Sequence, residues 1–172
     1  MSTEVIIGAN IDRAELVIPS FGSTPPLRLD LTKIREGESR LHEAQVVNVG
    51  SYSNLEFVFN EGYREGKRHL SIIGYQISLA EKALREAKSR ALLDDYKDFL
   101  TKKNIKDSAQ IRDAFLETQI DFVMAQDRID MLKAMESLID GKIKVFENTC
   151  RYLKKQMEIE LRGGMDFNKY VR

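Results

Sequence analysis

The chain has 172 residues, 42% of them hydrophobic, with only 10 Gly and 3 Pro to interrupt it and 27 Lys+Arg set against 27 Asp+Glu. Few breakers mean few and long elements, and this balance of apolar and charged groups excludes a disordered tail. A single cysteine, Cys150, with only His42 and His69 beside it, excludes an internal disulfide framework and argues against a zinc site.

Nothing at the amino terminus has the succession of a signal peptide, and no apolar run approaches the roughly 20 residues of a spanning helix. The expectation is a soluble, cytoplasmic chain with no membrane partner and no cofactor. Residues 1–31 hold all three prolines and the β-prone runs "EVII" and "ELVIPS", followed by "SFGSTPP" and the alternating "LRLDL". They read as an N-terminal arm, irregular or short-stranded. From about 32 to 48 the spacing of Ile34, Leu41, Ala44 and Val47 predicts a short helix, weakened by Gly37 and ended near "VGSYS".

A second helix is expected over about 54–100. Leu55, Phe59, Tyr63, Gly66, Leu70, Ile73, Ile77, Ala80, Leu84, Ala87 and Ala91 recur at steps of three and four, which places them on one stripe. "TKKNIKDS" breaks the pattern, and Asp107 followed by Gln110 has the form of a capping box opening a third helix over about 108–162. There a four-three alternation selects Ile111, Phe115, Thr118, Phe122, Ala125, Ile129, Leu132, Glu136, Ile139, Ile143, Phe146, Cys150, Leu153 and Met157. Such a seam is the signature of coiled-coil packing. A short connection makes the two long helices antiparallel, with Ala80, Ala87 and Ala91 able to receive Phe115 and Phe122.

The fold class is therefore all-α: a long antiparallel helical hairpin with its short preceding helix in one helical domain, 32–172, after the arm of residues 1–31. Fifty residues of helix would extend roughly 75 Å. Thr118 and Glu136 are the polar exceptions in the seam. Either they fix register, or Glu136 turns to the edge and Met135 takes its place. Cys150 reads as a small hydrophobe rather than a reactive thiol.

The third helix carries a second apolar face. Met124, Met131, Leu138, Val145, Tyr152 and Ile159 follow at intervals of seven, away from the seam. A helix apolar on two sides is buried on two sides. The short helix can cover at most about 25 Å of a stripe running about 50 Å. Self-association through this face, giving a homo-oligomer, is the expectation; an unrelated protein partner docking on adaptable methionines is the alternative.

Net charge by block is −3 for residues 1–60, +4 for 61–106, −5 for 107–140 and +4 for 141–172. Lys82, Arg85, Lys88 and Arg90 are expected to face Glu117, Asp121, Asp127 and Asp130 across the hairpin and help set register. At the open end Arg64, Lys67 and Arg68 join Lys142, Lys144, Arg151, Lys154 and Lys155, with Tyr63, Tyr75 and Tyr152 in the same neighbourhood. Bases interleaved with aromatics suit single-stranded nucleic acid, whose phosphates take the charge while the bases stack. The alternative is a solvated face whose cations pair with Glu61, Glu147 and Glu158.

No constellation for chemistry accompanies these features. "IIGANID" lacks both the dinucleotide glycine spacing and the ending of a phosphate loop. Neither histidine has a serine or cysteine nucleophile placed with it, and the neighbouring pairs Asp94/Asp95 and Asp127/Asp130 fit an acidic helix surface. No enzymatic activity is expected.

"NVGSYSNLEF", "QISLAEKALREAKSRALLDDYKDF" and "DSAQIRDAFLETQIDFVMAQDRIDMLKAMESLIDGKIKVFENTCRYLKKQ" together resemble the UvsY-type recombination mediators of tailed phages, over about two thirds of the chain. The resemblance implies a ring-like homo-oligomer in the host cytoplasm, binding single-stranded DNA without sequence preference and partnering a RecA-like recombinase. It points to Arg64, Lys67, Arg68, Lys82, Arg85, Lys88 and Arg90 for phosphate contact. Neutral net charge and the arm of residues 1–31 depart from that pattern. The competing class is an adaptor or scaffold protein of a phage or other large assembly with no nucleic-acid binding.

Overall fold

A computed structural model of the chain describes residues 14–22, 25–46 and 49–167. The expected strand at "EVII" and the helix position of Val47 lie outside these. The remainder is mostly helical with one small sheet, and it divides into two compact units. One holds the described residues up to Leu70 together with those from Leu138 onward; the other is Ser71–Ser137.

The first unit begins with strands β1 (Glu15–Ile18) and β2 (Leu27–Asp30), paired antiparallel with Leu16 opposite Leu29. Alternation sends Leu16, Ile18 and Leu29 into the core. The "ELVIPS" and "LRLDL" runs thus form one hairpin. It leads into helix α1 (Thr32–Ser39), a turn of 3₁₀ helix (Leu41–Val46), and the long helix α2 (Val49–Asp94). The single helix expected over 32–48 is broken at Arg40, whose guanidinium turns to Glu43 at 2.8 Å and to Asn54.

Two side chains of α2 fasten this layer. Glu65 accepts from the backbone N–H groups of Lys33 and Ile34 at 3.0 and 3.1 Å, satisfying two donors that the first turn of α1 leaves open. His69 is buried, and its Nε2 lies 2.5 Å from the Asp30 carbonyl oxygen. Asp30 in turn accepts from the Thr32 amide and hydroxyl, and the Thr32 hydroxyl holds its carboxyl below the usual carboxylate range.

The carboxyl half of helix α5 (Ile120–Phe167) runs antiparallel to α2 within this unit. Phe146 is fully buried, stacked on Phe59 at 6.1 Å between ring centroids. Its ring approaches Gly37 of α1 and Gly62 of α2 so closely that a Cβ at either would come within 2.9 Å. A Cβ at Gly66 would meet Ile143 Cγ1 at 2.5 Å. Glycine at these positions is what lets three helices converge.

The second unit takes Ser71–Asp94 of α2, then α3 (Tyr96–Lys103), α4 (Ala109–Leu116) and the start of α5. The long helices expected at 54–100 and 108–162 are each interrupted, at Asp95 and at Glu117–Gln119. No glycine or proline marks either break. Tertiary packing imposes them: Tyr96, Phe99 and Phe115 form a tilted aromatic group with ring centroids 5.0 to 6.3 Å apart, joined by Ala91, Leu116 and Phe122. Helix α3 ends on Asn104 in the left-handed conformation, φ 50°.

Helix α4 is capped by Ser108, whose Oγ accepts from the Ile111 amide at 3.3 Å. The cap therefore falls one residue later than expected from Asp107, and with Ile111 at the third helical position no capping box forms. Asp107 is drawn instead to the Tyr96 hydroxyl at 2.8 Å and to Arg112, and the Arg112 hydrogen bond, with that of Tyr96, holds its carboxyl below the usual range. Thr118 leaves the seam altogether: it sits in the turn before α5, exposed, donating to the Phe115 carbonyl at 2.6 Å. Met135 is buried and Glu136 is turned toward the edge, the second of the two readings of that position.

Candidate nucleic-acid interface and self-association face

In the first unit the cations of α2 form an outward cluster. Because Gly66 faces Ile143, Arg64 and Arg68, two residues to either side, stand about 160° round the helix from α5. Spacing of three and four residues gathers Arg64, Lys67 and Arg68 on one exposed surface, with Arg64 2.9 Å from Glu61 and the Lys67 ammonium 5.5 Å above the Tyr63 ring. Arg68 has no ion pair among the described residues. The expected meeting of this block with the cations of α5 is not built by direct contact, since α2 turns Arg64 and Arg68 away.

The α5 cations of this unit have partners of their own. Lys142 pairs with Glu38 of α1, Lys144 with Asp140 at 2.7 Å, and Arg151 with Glu147 one turn back. The Asp140 hydrogen bond raises the Lys144 ammonium above its ordinary range. Lys154 and Lys155 are exposed with no ion pair among the described residues. Cys150 lies half-buried, 4.0 Å from Asn60 Oδ1, and burial pushes its thiol up, away from a reactive thiolate.

In the second unit, of the four cations expected to pair across the hairpin, one does: Arg90 reaches Asp121 at 3.5 Å. Lys82 finds Glu86 on its own helix at 3.8 Å, and Arg85 and Lys88 stay exposed without an ion pair among the described residues. Asp130 accepts from Gln126 on α5 instead. Nearer partners at helical spacing win over the span of the hairpin. A cleft of about 280 Å³ beside Arg90, lined by Ala87, Ala91, Asp95 and Thr118 to Asp121, is smaller than a usual small-molecule site and holds no convergent chemistry.

The second stripe of α5 is uncovered in both units. Met124 is 57% exposed and Met131 half-buried in one; Leu138, Val145, Tyr152 and Ile159 are 37%, 44%, 45% and 54% exposed in the other. Helix α1 packs against Phe146 on the seam and leaves Val145 and Tyr152 open.

Three polar groups were invisible to periodicity: the half-buried Glu65 and the buried His69, which hold the β-hairpin and α1, and the buried Arg128. Arg128 is 7% exposed, donates to Gln76 Oε1 at 3.3 Å, and has its pKa lowered by burial. Among the described residues no group of His, Cys, Asp and Glu could hold a metal ion, and no helix is long and apolar enough to cross a membrane.

The class defined by the described residues is a mostly helical chain of two compact units, with a small two-stranded sheet near its amino end and an exposed apolar stripe on α5. Compared with protein-family models, with curated proteins and with solved structures, the chain shows no match.

Proposed function

We propose that the chain is a non-enzymatic helical protein that self-associates and binds single-stranded DNA without sequence preference, assisting recombinase loading as the resemblance to UvsY-type mediators implies. The observation that carries this reading is the outward cluster of α2, where Arg64, Lys67 and Arg68 share an exposed surface beside Tyr63. Exposed cations on one helix surface suit phosphates, and an adjacent aromatic ring offers a stacking surface. Self-association repeats the cluster, so that a modest local charge acts at several points along one strand.

Fluorescence anisotropy of labelled oligo-dT at low and moderate salt tests it. Binding that weakens with salt is the expected result; flat traces in both buffers would overturn it. A second reading, an adaptor or scaffold protein without nucleic acid, is favoured by one specific observation: Arg64, Lys142, Lys144 and Arg151 all have carboxylates beside them.

A further inference from the structure

We infer that Phe57 is the ring on which the outward surface of α2 stacks a base, so that a strand is held through one base at Phe57 and through neighbouring phosphates at Arg64 and Arg68. This deepens the proposed function and rests on it. Phe57 belongs to the same stretch of α2 as the cluster, in the unit that holds the described residues up to Leu70. Its neighbours Leu55, Val58 and Phe59 are buried, whereas Phe57 is 63% exposed and takes no part in that core.

Helix geometry aligns the ring with the guanidinium groups. Phe57 precedes Gly66 by nine residues, which turns it about 180° round α2 from the face that meets Ile143. Arg64 and Arg68 stand about 160° from that face, one on either side of the Phe57 line, so the three share a strip about 40° wide. Along the axis Arg64 follows Phe57 by about 10 Å and Arg68 follows Arg64 by about 6 Å.

The surroundings select the occupant. Ser53, Asn54 and Asn60, exposed on the same side of the helix, are all polar. A protein partner needs a contiguous apolar core at its interface, which one ring among hydroxyl and amide groups does not supply. A base needs a single ring face, and its strand needs cations further along the same line. Phe57, Arg64 and Arg68 supply both. Tyr63 is the less open ring of this surface, half-buried and with the Lys67 ammonium 5.5 Å above it. A phenyl ring stacks on any base, as binding without sequence preference requires.

Fluorescence anisotropy of the full chain, with labelled oligo-dT and with an abasic strand of the same length, tests the role. Phe57→Ala weakens oligo-dT binding about tenfold and leaves binding of the abasic strand unchanged. It also leaves the slope of log affinity against log salt as it was, since no phosphate contact is lost. Replacing Arg64 and Arg68 together by Gln reduces that slope on both strands by about 1.4, about 0.7 for each phosphate contact. The chain contains no tryptophan, so Phe57→Trp places a single reporter at the site. Its emission is quenched by oligo-dT and not by the abasic strand.

A Phe57→Ala chain that binds oligo-dT as the wild type does, or that loses equal affinity for both strands, would overturn the stacking role and leave DNA binding standing. A reduced sedimentation coefficient for Phe57→Ala would give the ring to a protein contact and overturn the role as well. A wild-type chain that binds neither strand would overturn the proposed function, and the stacking role with it.

Discussion

The close approach of α2 and α5 at Gly66 yields the most quantitative prediction. A Cβ at position 66 would come within 2.5 Å of Ile143 Cγ1 and 2.9 Å of its Cδ1, and Ile143 is 1% exposed on a β-branched, stiff side chain. Gly66→Ala therefore overpacks the seam at about 1–3 kcal/mol, offset by about 1 kcal/mol of improved helix propensity. Ile143→Ala alone opens a cavity and costs about 2–5 kcal/mol. In the Ile143→Ala background the clash is gone, the new methyl fills part of the void, and Gly66→Ala becomes stabilising by about 1 kcal/mol. The double-mutant cycle thus carries a coupling of about 1–3 kcal/mol. Urea denaturation of the four chains at one fixed protein concentration measures it, because association shifts apparent stability. Effects that add within about 0.5 kcal/mol would refute the packing described for this seam.

Ser108→Ala removes the cap of α4 and is expected to lower stability by about 1 kcal/mol in the same denaturation assay. Asp107 bears on acid stability. Its folded-state pKa is lowered, so its contribution is present above the ordinary carboxylate range and is lost as pH falls through the folded value. Asp107→Asn should flatten the dependence of melting temperature on pH in the acid range; an unchanged acid limb would count against the Tyr96–Asp107–Arg112 network. Leu138→Glu places a charge on the uncovered stripe and is expected to dissociate the assembly, with a reduced sedimentation coefficient as the readout. Replacing Arg64, Lys67 and Arg68 by Glu should weaken oligo-dT binding while leaving that coefficient intact, and unchanged affinity would move the DNA site elsewhere.

Much of this architecture was legible because helix burial has a period. The seam residues Ile129, Leu132, Ile139, Ile143, Phe146, Leu153 and Met157 and the facing Leu55, Phe59, Ile73, Ile77 and Ala80 are buried where spacing put them. The alternation in "LRLDL" likewise marked a strand. The breaks at Asp95 and Glu117–Gln119 were not legible, because tertiary packing of Tyr96, Phe99 and Phe115 makes them, without a breaker residue. Ser108 rather than Asp107 caps α4 because Asp107 has stronger partners, which only the fold brings near.

The site was legible in part. Sequence spacing identified the uncovered stripe of α5, whose exposure follows from the seam facing the other way. It did not tell which cations α2 turns outward, because that depends on Gly62 and Gly66 fixing the rotation of the helix against Phe146 and Ile143. Nor did it reveal Glu65 and His69 as fasteners of the amino-terminal layer, since their partners are backbone groups of α1 and β2, remote in the chain.

Sedimentation velocity of the full chain mixed with labelled oligo-dT tests the central claim most directly, because one boundary reports both size and occupancy. The account predicts that the label travels with a species heavier than one 19.8 kDa chain and leaves it as salt is raised. Free label beside a slowly moving single chain, at every concentration tried, would contradict it.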